Sequence, residues 1–118
     1  MNKDVLNIDG VEYVTKDSKA ECLDGMEYKI IRTRSAGVFA GYIESRDGLQ
    51  TVIRQARRLW RWYGAASLSQ LAEEGTSDPE NCKFPIAVDK ITVTETIEIL
   101  DVTKQAQESI EGVPVWSA

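Results

Sequence analysis

The stretch RTRSAGVFAGYIESRDGLQTVIRQARRLWRWYGAASLSQL, residues 32–71, decides how the chain folds. Val38 to Glu44 alternates, with Val38, Ala40, Tyr42 and Glu44 on one side and Phe39, Gly41 and Ile43 on the other, as a strand requires. Asp47-Gly48 within Ser45-Arg-Asp-Gly48 is a strong hairpin signal. Leu49 to Trp62 fits either a helix or a strand. The turn before it, the β-branched start Thr51-Val-Ile53 and the Trp-x-Trp end decide for a strand. That strand is expected to carry Val52, Arg54, Ala56, Arg58, Trp60 and Trp62 on one face and Ile53, Gln55, Arg57, Leu59 and Arg61 on the other. Gly41 in mid-strand predicts either a bulge or kink, or a close approach by a ligand. The expected class is α+β, an antiparallel sheet built on this central hairpin with two short helices.

Working outward, Glu27–Arg34 reads as a strand with Tyr28 and Ile30 or Ile31 inward, broken by Ser35-Ala36-Gly37. Residues 1–26 read as a polar lead-in: Asn7–Gly10 is a turn signal, Val11–Val14 a short edge strand and Lys16–Asp24 a loop. On the far side, Ser67-Leu-Ser-Gln70 is a capping box that opens a helix over 68–74, closed by Gly75. Lys90–Val102 alternates as one strand, or two with a bend at Glu95. Thr103 caps a last helix over 104–111 that stops at Gly112. An ordered Trp116 so near the end predicts docking or a subunit contact.

The same stretch polarises the charge. All seven arginines lie between Arg32 and Arg61, with only Glu44 and Asp47 among them, a formal +5; elsewhere seven lysines face seventeen acids, a formal −10. Arginine pairs bidentately with phosphate and stacks on rings, so this gathering beside Trp and Tyr points to an anionic, planar ligand. A hairpin that merely wears arginines on its solvent face is the competing reading. The acidic remainder repels a long polyanion, so duplex nucleic acid is disfavoured and a small nucleotide preferred. Candidate phosphate contacts are Arg32, Arg57, Arg58 and Arg61. Phe39, Trp60, Trp62 or Tyr63 would stack on a base, and Ser35, Gly37, Ser67 and Asn81 would supply polar contacts. Arg57 and Arg58 fall on opposite strand faces and cannot both serve one pocket.

A chain of 118 residues with 42% apolar and 28% charged residues is expected to be one soluble domain, with 27–118 as its core. No apolar run spans a membrane, and MNKDVLNIDG has no apolar region of a secretory signal, which points to the cytoplasm. Cys22 and Cys82 there are expected to stay reduced. The absence of histidine removes Ser-His and Cys-His nucleophiles, most zinc sites and the usual neutral-pH base. A binding protein with no catalytic residues, metal or cofactor is the expected class.

Four strings carry a resemblance: RTRSAGVFAGYIESRDG (32–48), ARRLWRWYGAASLSQLAEEG (56–75), PENCKFP (79–85) and SIEGVPVW (109–116). They resemble a small family of tailed phages and prophages, identified as the Thoeris anti-defence sponges, over roughly residues 27–118. The resemblance implies a phage protein of the infected cell's cytoplasm. Without turnover, it would sequester the cyclic ADP-ribose isomer that switches on Thoeris immunity. It also implies homo-oligomers built from dimers and, in some members, cyclic di- or trinucleotides bound at separate sites. Two other classes remain open: a small phage structural or interaction protein, and a metal-dependent cyclic nucleotide phosphodiesterase working through carboxylates.

Overall fold

The computed structural model describes residues 18–118 and, as backbone, 5–8 and 11–14. Strands β1 (Val5–Ile8) and β2 (Val11–Val14) form an antiparallel pair, so the expected edge strand at 11–14 has a partner in the lead-in. The turn at Asn7–Gly10 and the start of the loop at Lys16 lie partly outside the described residues.

The body is a small α+β domain with a five-stranded antiparallel sheet and two helices. Its strands are β3 (Glu27–Thr33), β4 (Val38–Asp47), β5 (Gln50–Arg58), β6 (Val88–Val93) and β7 (Thr96–Asp101), in the spatial order β6-β5-β4-β3-β7. Helices α1 (Leu68–Glu74) and α2 (Lys104–Gly112) follow β5 and β7. Ser67 Oγ accepts from the Gln70 amide at 3.1 Å, and Thr103 Oγ1 accepts from the Ala106 amide at 3.0 Å, so both caps lie where the sequence places them. The Gln70 side chain reaches back to the amide of Ala66 rather than to Ser67, a variant of the capping box.

Connectivity forces the sheet to curl. β6 and β7 occupy opposite edges, yet only Thr94 and Glu95 separate them. Three residue steps reach about 11 Å at most, whereas four strand spacings in a flat sheet cover about 19 Å. Thr51 and Thr96 hydroxyls meet at 2.7 Å, buried, where β5 passes the β6–β7 corner. The Arg34 amide donates to Glu95 O at 2.9 Å and ties the β3–β4 turn to that same corner.

Curling divides the core in two. On the outer face Tyr28, Ile30, Ala40 and Tyr42 pack under Leu71 of α1 and Ala106 and Ile110 of α2. On the inner face Ile31, Phe39, Ile53, Ala56 and Val93 pack on one another. Ile30 and Ile31 are therefore both fully buried, one on each face.

The bend is built from irregularities in β4 and β5. Register shifts between Ala40 and Tyr42, where the non-glycine Gln55 takes φ 49°. Gly41 lies there, and a Cβ on it would come within 2.6 Å of Ile53 Cγ2 and 2.8 Å of Arg54 O. Of the two readings of Gly41, the bulge accounts for it. The extra residue at Gln55 also corrects the expected alternation of β5: Ile53, Ala56 and Arg58 share the inner face, while Arg57 and Leu59 turn outward. β5 stops at Arg58, so Trp60 and Trp62 lie beyond it and not on a continuous strand.

Candidate ligand-binding site

Past Arg58 the chain runs on as an irregular segment, held to residues 83–84 by a two-residue bridge. The Lys83 amide donates to Arg61 O at 2.7 Å, and the Arg61 amide donates to Lys83 O at 3.4 Å. The tail docks on the same segment, with the Trp116 amide donating to Phe84 O at 3.0 Å. These backbone bonds bring Trp60 against Trp116, ring centroids 5.0 Å apart and planes at 23°. Lys83 Nζ lies 5.7 Å from the Trp60 ring and 5.5 Å from the Trp116 ring, and the Arg61 guanidinium carbon lies 5.4 Å from Trp60. Trp60 is 53% exposed and Trp116 44%. Two stacked indoles with open surface and two cations beside them form a platform that can take a planar base on its π face and an anion at its edge.

A second group sits at the end of β3 and β4. The Arg58 guanidinium lies 4.5 Å over the Phe39 ring, and its Nη1 donates to Ala36 O. Gly37 takes φ 98°, a backbone conformation that a side chain would strain, so the glycine serves the turn that presents Ala36 O to Arg58. Phe39 itself is buried, so its ring serves Arg58 and the inner core. Ser35 Oγ donates to Glu95 Oε1 at 2.6 Å, and Arg32 Nε donates to Glu98 Oε1 at 2.9 Å. Two of the proposed anion contacts thus already face carboxylates on the β7 side.

Arg57 has a different environment from its neighbour. It is buried, and four of its five N–H groups donate to carbonyls: Nε to Pro85 O at 3.0 Å, Nη1 to Ile110 O at 2.9 Å, and Nη2 to Phe84 O at 3.0 Å and Val113 O at 2.7 Å. Two of those carbonyls end α2, where a cation is favoured. Burial lowers its pKa, yet a guanidinium starts so high that it stays charged. A side chain so committed is a strut between β5, residues 84–85 and the end of α2.

The other candidates are scattered. Trp62 packs against the outer core. Tyr63 is exposed, its amide donating to Cys82 Sγ at 3.4 Å and its carbonyl accepting from Thr76 Oγ1. Ser67 is occupied as the cap of α1, and Asn81 Nδ2 donates to the Asp78 carboxylate at 3.0 and 3.1 Å. Of the twelve candidates, Trp60 and Arg61 meet in the platform, and Gly37, Phe39 and Arg58 meet in the separate group at the β3–β4 turn. Lys83 was missed, because nothing in CKFP marks a lysine as lying over two indoles. Trp116 was singled out only as a docking residue.

Among the described residues no group of three or more His, Cys, Asp or Glu side chains could hold a metal ion. No helix among them is long and apolar enough to cross a membrane. A family described as a domain of unknown function, DUF6948, matches residues 26–110. No curated protein and no solved structure matches the chain.

Proposed function

We propose that this chain, which belongs to the DUF6948 family, is a non-enzymatic phage anti-defence protein. It binds a cyclic ADP-ribose isomer in the cytoplasm of the infected cell and withholds it from Thoeris-type immunity without turning it over. The observation that carries this reading is the half-exposed Trp60–Trp116 stack with Lys83 and Arg61 alongside. Such an array suits an adenine on the indole face and a diphosphate at the cations. The strings that resemble the Thoeris anti-defence family supply all four of its residues: Trp60 and Arg61 lie in ARRLWRWYGAASLSQLAEEG, Lys83 in PENCKFP, and Trp116 ends SIEGVPVW. We take the β4–β5 hairpin as the centre on which the sheet is built, since β5 leads directly into the segment that carries Trp60 and Arg61.

Assembly into homo-oligomers from dimers belongs to the same proposal. Exposed large apolar side chains, Leu49, Val88 and Ile97 among them, are available to such an interface.

The test is thermal unfolding with cyclic ADP-ribose isomers, cyclic dinucleotides and cyclic trinucleotides. A bound ligand at about 100 times its Kd stabilises by roughly 2.7 kcal/mol, a shift of several degrees at this size. Trp60→Ala and Arg58→Ala should each weaken that binding. Flat curves across the panel would overturn the proposal in favour of a structural or interaction protein. Recovery of the ligand in altered form would instead indicate an enzyme.

A further inference from the structure

A cleft of about 340 Å³ opens between the outer face of β3 and β5 and the segments that Arg57 holds together. Ile86, Val113 and Val115 are its apolar walls, and Tyr28, Arg57 and Glu111 are its polar end. Gln55, at the strained bulge of β5, stands at the same cleft. The volume lies at the small end of ligand pockets, ~300–1,000 Å³, which suits one ring system rather than a phosphate-bearing dinucleotide.

Tyr28 is the informative residue. It is 5% exposed, and its ring packs edge-on against Tyr42 at 5.1 Å, but its hydroxyl has no hydrogen-bond partner among the described residues. Among the described residues no fully buried side-chain polar atom lacks a partner, so this hydroxyl is the part of Tyr28 that stays accessible, open to the cleft it lines and able to bond to what enters it. Burial and the nearby Glu111 charge both raise its pKa, so it enters the cleft as a neutral donor and acceptor. Arg57 has one N–H left, on Nη1, and Glu111 offers a carboxyl.

We propose that this cleft is a separate binding site for a small, neutral, planar ring bearing an amide-type edge. The ring lies between the valine and isoleucine walls. Its carbonyl accepts from Tyr28 and the remaining Arg57 N–H, and its N–H donates to Glu111. A cation is disfavoured because Arg57 is balanced only by carbonyls, and an anion because Glu111 shares the cleft.

The experiment uses the full chain and three probes of similar size, benzamide, benzoate and benzylamine, followed through backbone amide shifts in NMR. Benzamide should give saturable shifts at Gln55, Glu111, Val113 and Val115, with affinity about tenfold above either charged probe. Tyr28→Phe keeps the buried ring and should weaken benzamide about tenfold while leaving thermal unfolding unchanged. Absence of saturable shifts up to ~10 mM benzamide, equal affinity for the three probes, or full affinity in Tyr28→Phe would each overturn the proposal. Trp60→Ala should leave benzamide binding intact while weakening the nucleotide, so the two sites fail independently.

Discussion

Arg57 and Arg58 are adjacent in sequence and opposite in use. Arg57 is enclosed on the outer face with four carbonyl partners, whereas Arg58 lies exposed across Phe39 with one. A single peptide step across a curled sheet separates a strut from a free fork. Arginine count alone therefore says little about binding; which face each one occupies decides. The largest expected effect tests that contrast. Arg57→Ala strips a charged donor from four carbonyls and should destabilise the fold by about 3–5 kcal/mol, because charge-assisted bonds contribute roughly 1.5–3 kcal/mol each and the orphaned acceptors stay covered. Arg57→Lys should recover little, since one ammonium cannot span the fork. Arg58→Ala should cost under about 1 kcal/mol, as expected for an exposed cation–π contact. Chemical denaturation of the three variants checks this, and equal losses at 57 and 58 would erase the distinction.

Next in size is the point where the two faces are bent apart. Gly41→Ala places a methyl 2.6 Å from Ile53 Cγ2 and 2.8 Å from a backbone oxygen, and neither can move without breaking the bulge. A loss of about 1–3 kcal/mol is expected from overpacking. An unchanged midpoint in denaturant would mean that the curl does not depend on that close approach.

How much of this was legible depends on how local the cause is. The caps of both helices, the Asp-Gly turn and the break near Glu95 are written in neighbouring residues, and they fall where local rules put them. The bulge at Gln55 is not, since a glutamine at positive φ has no compositional mark. Everything downstream of it on β5 changed face accordingly. The role of Arg57 was equally hidden, because its partners lie 27 to 56 positions away, at residues 84, 85, 110 and 113. Trp60 was recognisable as an aromatic candidate, but its partners Lys83 and Trp116 come from distant segments that meet only through the backbone bonds at 61, 83 and 84.

Trp116→Ala sharpens the contrast from the other side, because it deletes an exposed partner rather than a buried one. Losing an aromatic contact of this kind should cost about 0.5–1.5 kcal/mol. If the indole pair is the ligand platform, nucleotide affinity should fall by more than stability does. A stability loss comparable to that of Arg57→Ala would recast the pair as core.

The smallest effect concerns Glu111, an exposed residue whose carboxyl interacts electrostatically with Tyr42. Loss of water around that carboxyl raises its pKa above the ordinary 4.5, the charges of Glu21 and Glu108 add to the rise, and the Tyr42 contact offsets part of it. Folding therefore takes up a proton in the interval between the unfolded and folded values, and stability falls as pH rises through that interval. Above it the ionised group costs stability. Glu111→Gln, which cannot ionise and keeps the size of the side chain, should raise Tm slightly at neutral pH. The advantage should shrink to nothing as pH drops below the ordinary carboxylate range. Paired melting curves at pH 7 and pH 4 decide the matter. A Gln variant less stable at pH 7 would mean that the outer face needs the charge itself, which would place Glu111 beside Arg57 as a second strut.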